Sequence, residues 1–210
     1  QAGNRERRDQ GVAEWLAVQA YNGDSAGAHV NLGVYYTERG DAVRAEAEYL
    51  MARKLEPYFA PAAVNLADLY RTGDRDADGE RVLRDALALA PEAADLHHSL
   101  GLLLVRRKDL AGALVELKRA AELAADDPDA QYTYAVALYS SGRLADAIAL
   151  LDRTWRAHPG DRQVLAALVS YVRERGDVAH ARDLASRLVA LSPGDPSAAG
   201  LLEEIRKESQ

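Results

Sequence analysis

The sequence predicts an all-α fold, a solenoid in which one helix-turn-helix unit is repeated along the chain. Three observations support this prediction. Residue types recur every 34 residues without a gap, apolar residues within each copy follow helical spacing, and glycine or proline stands where helices should end. The clearest column of the repeat contains Leu32, Leu66, Leu100, Tyr134 and Leu168.

Each copy reads as two helices separated by a short turn. Leu32, Gly33 and Tyr36 share one face of a first helix, and Tyr49 and Ala52 share the packed face of a second. The end of the first helix favours a residue that tolerates the left-handed conformation. The residues at this place are Gly40, Asp74, Lys108, Gly142 and Gly176. Lysine is the least suited of them. Four copies end in proline, which cannot continue a helix, at Pro57, Pro91, Pro159 and Pro193.

A 34-residue unit with an L-G-x-x-Y core, alanine at two places in the second helix and a closing proline resembles the tetratricopeptide repeat (TPR). The resemblance implies a right-handed α-solenoid. It divides the chain into five copies, residues 26–59, 60–93, 94–127, 128–161 and 162–195. The fifth copy departs most from the family pattern, at Val169, Ala185 and Leu188, and we expect looser packing there.

The two ends of the chain are interpreted as incomplete copies. Residues 1–25 fit a single second helix with Trp15 at a packing position, and a native amino-terminal cap is the alternative. Because the first residue is Gln1, we expect the chain to be a piece of a longer protein. Residues 196–210 fit a capping helix that turns Leu201, Leu202 and Ile205 inward. The uncovered Trp15 makes self-association through the amino-terminal end an expectation.

Composition and motifs point away from several function classes. The net charge of −7 argues against a nucleic-acid partner, and the absence of cysteine excludes disulfides and thiolate metal sites. No apolar run approaches the length that spans a membrane. The carboxylates of residues 74–85 resemble a calcium loop in spacing, but the repeat frame places much of that stretch in a helix, so capping is the expected role. Without a catalytic motif, we expect a protein that is not an enzyme and holds no cofactor or metal.

The side of each first helix that packing leaves unused carries the candidate binding residues, and the family resemblance implies that this side lines a concave groove. One column of it reads Asn31, Asn65, Ser99 and Thr133, whose side chains can hydrogen-bond the backbone of an extended peptide. The remaining candidates are Asp68, His98, Tyr132, Tyr139, Ser170 and Arg173. The alternative is that these polar groups only satisfy neighbouring backbone.

Two functions from different classes remain open. The first is a non-catalytic interaction module that binds an extended peptide or partner segment in its groove. The second is an architectural module that self-assembles or docks onto an upstream domain. A weaker resemblance of stretches such as NLADLYR to the TPR region of bacterial multihaem cytochrome-type proteins implies a periplasmic location and a redox neighbour. The sequence names neither the partner nor the compartment.

Overall fold

The computed structural model describes residue 18 and residues 25–208, and residues 25–208 form eleven helices without a strand. The helices are α1 (Ala26–Glu38), α2 (Ala42–Leu55), α3 (Ala60–Thr72), α4 (Asp76–Leu89), α5 (Ala94–Arg106), α6 (Leu110–Leu123), α7 (Pro128–Ser140), α8 (Leu144–Ala157), α9 (Arg162–Glu174), α10 (Val178–Leu191) and α11 (Pro196–Glu208). The prediction of an all-α repeat fold is confirmed. The interpretation of Trp15 falls on residues outside the described ones.

The helix bounds repeat with the period of the sequence. The first helices of the copies begin at residues 26, 60, 94, 128 and 162, and α11 begins at residue 196 in the same register. The first helices have 13 residues and the second helices 14. No helix of the described part is long and apolar enough to cross a membrane.

The chain divides into two compact units. Unit 1 comprises residues 1–109 and unit 2 residues 110–210, so the boundary falls in the turn between α5 and α6. In unit 1 the buried layer includes Leu66, Leu83, Leu96 and Leu100, none of which is exposed to solvent. In unit 2 the corresponding layer includes Leu151, Leu165 and Leu168.

Close approach of the two helices in a copy depends on the small residue of the L-G-x-x-Y core. A Cβ atom on Gly33 would lie 2.2 Å from the ring of Tyr49, which is 1% exposed. The Tyr49 hydroxyl lies 3.1 Å from Oγ1 of Thr37, so the ring is fixed at both its face and its tip. The recurring small-then-large pattern therefore sets the spacing between α1 and α2.

The turns after the first helices adopt the left-handed conformation that the sequence indicates. The φ angles are 74° at Gly40, 80° at Gly142 and 90° at Gly176. Two residues with side chains also adopt positive φ, Asp74 at 56° and Lys108 at 63°. The repeat geometry thus outweighs the local cost of a left-handed lysine, which is about 1–2 kcal/mol.

The acidic stretch at residues 74–85 is mostly helical, as the repeat frame predicts. α4 begins at Asp76, and the guanidinium of Arg106 donates hydrogen bonds to Asp74 at 2.6 Å and Asp76 at 2.9 Å. Gly79 is buried, and a Cβ there would lie 3.0 Å from Leu103 and 3.2 Å from the Ala67 carbonyl oxygen. The expected capping role is wrong, because no side chain of the described residues caps the start of α4, and Asp74 and Asp76 instead join neighbouring copies through Arg106.

Unit 2 ends in the helix that closes its core. Ile205 is 0% and Leu202 7% exposed, and Leu201 is partly buried against the same cluster. The backbone N–H of Ser197 donates to Asp195, which fixes the start of α11. The fifth copy keeps its unusual residues in this core, since Val169 and Ala185 are fully buried.

Candidate functional site

A cleft of about 500 Å³ lies in unit 1 between the first helices of the second and third copies. We call it the α3–α5 cleft. It is lined by Val64, Ala67, Asp68, Arg71, Leu83, His98, Ser99, Leu102, Leu103 and Arg106. Three of the candidate residues, Asp68, His98 and Ser99, therefore share one site.

The α3–α5 cleft combines an apolar lining with a charged rim. Val64, Leu102 and Leu103 supply aliphatic surface, and Leu102 is 45% exposed. At the rim, Nε of Arg71 donates to Asp68 at 3.1 Å. Arg106 donates hydrogen bonds to Asp74 and Asp76. The hydrogen bond with Asp76 is the largest cause of the raised pKa of Arg106. An apolar side chain fits the lining, while the rim carries paired positive and negative side chains.

The polar column of the first helices has two kinds of member. Nδ2 of Asn65 donates to the Pro61 carbonyl at 2.8 Å, and Oγ1 of Thr133 donates to the Asp129 carbonyl at 2.9 Å. Each bond returns to the residue's own helix four positions earlier, a common local bond for short polar side chains. Asn31 and Ser99 make no such bond within the described part of the chain. Asn65 keeps a second N–H and its oxygen.

Two candidates of unit 2, Tyr132 and Tyr139, lie near Tyr171. The rings of Tyr139 and Tyr171 stack with centroids 4.3 Å apart and an interplanar angle of 16°. The Tyr139 hydroxyl donates to Glu174 at 2.7 Å, a bond that raises the pKa of this tyrosine together with burial. Burial raises the pKa of Tyr171 to about 12, with the charges of Tyr132, Tyr139 and Glu174 adding to the effect. Both hydroxyls therefore stay protonated at neutral pH.

The two other candidates of unit 2 are engaged in holding the fold. Oγ of Ser170 donates to the Ala166 carbonyl at 3.1 Å. Arg173 donates to Glu204 at 3.1 Å and also to Glu208, so it clamps α9 to α11. The hydrogen bond with Glu208 is the largest cause of the raised pKa of Arg173. Arg173 thus links α9 to α11 electrostatically, and the carboxylates of Glu204 and Glu208 balance its charge.

Sequence reasoning missed several residues that belong to these sites. Leu102 and Arg106 stand at the ninth and thirteenth places of their copy, which face away from the packing columns, so the repeat frame contained the signal for both. Arg71 stands at the same place as the candidates Tyr139 and Arg173. Tyr171 stands at the tenth place of its copy, which belongs to neither the packing columns nor the candidate column, and its stack with Tyr139 is what brings it to this surface.

Comparison with protein-family models identifies the repeat. Two models described as tetratricopeptide repeat match this chain, one over residues 64–130 and one over residues 104–170. Together they cover residues 64–170, which is 107 of the 210 residues. The matched region contains the whole of the α3–α5 cleft.

Similar proteins share parts of the sequence or the fold. The chain is 22% identical over 209 residues to human protein O-mannosyl-transferase TMTC3, a match that covers 92% of this chain and 23% of that protein. It therefore spans about a quarter of the length of this curated relative.

Two solved structures show the same fold at low identity. The structure of YrrB, described as a TPR protein with an unusual peptide-binding site, superposes with a TM-score of 0.65 at 21% identity, over 92% of this chain and 97% of that one. Yeast Tom70 superposes with a TM-score of 0.80 at 17% identity, over 93% of this chain and 42% of that one.

Proposed function

The chain belongs to the tetratricopeptide repeat family, whose fold supports protein–protein interaction, and we propose that unit 1 binds an extended segment of a partner protein on the face formed by α1, α3 and α5. We call this the first-helix face. The proposed role is non-catalytic: the chain positions a partner and leaves chemistry to other proteins or domains. The observation that carries the proposal is the α3–α5 cleft.

The dimensions and lining of the cleft favour apolar side chains of a peptide. A volume of about 500 Å³ is within the range of ordinary ligand pockets, and Val64, Leu102 and Leu103 make its walls aliphatic. Ser99 lies beside these walls with its hydroxyl available as donor or acceptor. A peptide whose aliphatic side chain enters the cleft would present its backbone to Ser99.

Asn31 supports the same mode of binding on the neighbouring helix. Its side chain is exposed on α1, and an amide can both donate to and accept from a peptide group. Recognition through backbone hydrogen bonds selects for an extended conformation and only weakly for sequence. Binding of a peptide's terminal carboxylate would need cationic side chains at the neighbouring column of the first helices. That column holds Val30, Val64 and His98, so the terminal carboxylate is not the proposed anchor.

A solved structure with the same fold supports the proposal. YrrB, which has the same fold, is described as having a peptide-binding site, although its identity of 21% transfers the fold alone. The name of human TMTC3 denotes a mannosyl-transferase, but this chain matches 23% of that protein. We therefore attribute to this chain the interaction role and no transferase activity.

Selection of peptides by the full chain tests the proposal. A display library of random ten-residue peptides with both ends blocked should yield binders rich in aliphatic residues. Leu102→Glu places a charge in the aliphatic lining and should weaken a selected peptide at least tenfold. Ser99→Leu should do the same by filling the cleft beside Val64.

The matched control is Val115→Glu. Val115 is an apolar residue of α6 that is 66% exposed and does not line the cleft. This change should leave peptide affinity unaltered, and circular dichroism should show that all three variants keep the wild-type helix content. Selected peptides that bind Leu102→Glu and Ser99→Leu as tightly as the wild type would show that the cleft is not the site.

A further inference from the structure

The second helix of the first copy carries an unusual row of apolar side chains on its outward side. Val43 is 81%, Leu50 45% and Met51 41% exposed on α2, and Tyr58 in the following turn is 63% exposed. We call these four residues the α2 strip. Ala45, Tyr49 and Ala52 on the opposite side of α2 make the contacts that hold the copy together, and all three are buried. The α2 strip therefore leaves much of its apolar surface outside the packing of the copy.

The other copies serve as an internal comparison. The positions equivalent to Leu50 hold Arg84, Lys118, Asp152 and Ser186, and those equivalent to Met51 hold Asp85, Arg119, Arg153 and Arg187. The positions equivalent to Tyr58 hold Glu92, Asp126, Gly160 and Gly194. Large apolar residues at these places are thus confined to the first copy. The repeat fold does not require them, because four copies form the same helix pair with polar or small residues there.

The exposed charged residues of α2, Arg44 and Lys54, are both basic. Lys54 is exposed on the line of the strip one turn after Leu50, and it has no ion-pair partner within the described part of the chain. Arg44, with 66% of its side chain exposed, borders the strip at its other end and pairs with Asp41.

The acidic side chains of α2 are turned to other partners. Glu46 accepts hydrogen bonds from Tyr70 at 2.7 Å and from Arg75 at 3.0 Å, and Glu48 lies 2.6 Å from Nδ1 of His29. The α2 strip is therefore an apolar row beside Lys54, a cation that has no ion-pair partner among the residues the structure describes, on a chain whose net charge is −7.

We propose that the α2 strip docks an acidic amphipathic helix of another protein. The distance from Val43 to Lys54 is eleven residues, or about 16 Å along the helix, which matches three turns of a partner helix. Leucine-type residues of such a helix at i, i+3, i+4 and i+7 would cover Val43, Leu50 and Met51. A carboxylate at its edge would pair with Lys54. This surface is separate from the α3–α5 cleft, so it supplies a second interaction.

The charges near the α2 strip favour an acidic helix over two other occupants, a second copy of the chain and a membrane surface. A second copy of the chain would bring the same apolar row and the same cations, and its strip offers no unpaired carboxylate among the described residues of α2. A membrane surface attracts polybasic segments, whereas beside this strip Lys54 is the lysine without an ion-pair partner among the described residues, and the chain as a whole is acidic.

A designed probe peptide tests the proposal on the full chain. The probe is a 16-residue alanine-based helix with leucine at positions 4, 7, 8 and 11 and glutamate at the flanking positions, and its twin has lysine in place of glutamate. Fluorescence anisotropy should show saturable binding of the acidic probe at least tenfold tighter than that of the twin. The double variant Leu50→Arg/Met51→Asp copies Arg84 and Asp85 of the second copy and should reduce binding of the acidic probe at least tenfold.

Controls separate this surface from the cleft and from general stickiness. Val115→Arg and Leu102→Glu should both leave the affinity for the acidic probe unchanged, and the double variant should melt at the wild-type temperature because its side chains are exposed. Equal binding of the acidic probe by the wild type and the double variant would overturn the proposal. So would a wild-type dimer in sedimentation that Leu50→Arg/Met51→Asp dissociates, or binding to phosphatidylserine vesicles that exceeds binding to the probe.

Discussion

At the scale of single residues, the fold depends on where a side chain is absent. Gly33 and Gly27 lie on the same helix, but a Cβ atom on Gly33 would meet the Tyr49 ring at 2.2 Å, whereas one on Gly27 would meet nothing within 4 Å. The two glycines therefore have different physical roles although the sequence shows the same letter. Position within the repeat, not residue type, decides which one the packing requires.

Alanine at each glycine should separate these roles. We expect Gly33→Ala to lower the free energy of unfolding by about 1–3 kcal/mol, because the buried Tyr49 ring must move. Gly27→Ala should be neutral or stabilising by up to about 1 kcal/mol, because alanine is the better helix former. Urea denaturation measures both. Equal effects of the two changes would show that the L-G-x-x-Y glycine does not set the helix spacing.

The polar column of unit 1 also divides at the residue scale. Asn65 donates to the Pro61 carbonyl, while the side chain of Asn31 is exposed on α1. Asn31→Ala should weaken a selected peptide by about two- to tenfold, the equivalent of one hydrogen bond, and should leave the melting temperature unchanged. Asn65→Ala should lower the melting temperature more than it lowers the affinity. Calorimetry of both variants decides the matter, and a melting temperature that moves only for Asn31→Ala would reverse the assignment.

At the scale of the helix, α11 is held to unit 2 by both apolar burial and charge. Ile205 and Leu202 fill the end of the core, and Arg173 of α9 donates to Glu204 and Glu208. The hydrogen bond from Arg173 lowers the pKa of Glu208 below its usual range. A carboxyl group with a lowered pKa stabilises the fold above the pKa of the unfolded chain, about 4.3, and loses that contribution as pH falls through the folded value.

This electrostatic link should be visible in the pH dependence of stability. Glu208→Gln should melt at a lower temperature than the wild type at pH 7, and the difference should shrink as the pH falls below about 4.3 and through the lowered pKa of Glu208 in the folded protein. The control is Glu203→Gln, since Glu203 pairs with Arg206 on α11 itself and does not join α11 to α9. A difference between Glu208→Gln and the wild type that does not shrink as the pH is lowered would show that Arg173 does not act through this charge.

At the scale of the whole molecule, the 34-residue period of the sequence predicted the repeat fold because every copy packs its two helices through the same pattern of residues. It anticipated the left-handed conformation at Lys108, a residue with no local preference for it, because the turn geometry is imposed by the helices on either side. It also placed Asp68, His98 and Ser99 on one surface, since their places in the frame determine which side of the helix they occupy.

The remaining features depend on side-chain directions that the frame does not contain. Asn65 and Ser99 occupy the same column, yet only Asn65 bonds back to its own helix, because short polar side chains choose among several local partners. Tyr171 joins Tyr139 through a stack between neighbouring first helices, a contact that spacing alone could not reveal. The frame therefore predicts surfaces better than it predicts hydrogen bonds.

The central claim is that unit 1 binds an extended partner segment at the α3–α5 cleft, and amide chemical-shift mapping of the full 22.8 kDa chain tests it most directly. An end-blocked peptide from the selection is titrated into the isotope-labelled protein. The largest shifts should fall on the first-helix face, at the amides of Asp68, Ser99 and Leu102, and Leu102→Glu should abolish them. Largest shifts on the outward side of α4, or shifts spread evenly over the chain, would contradict the claim.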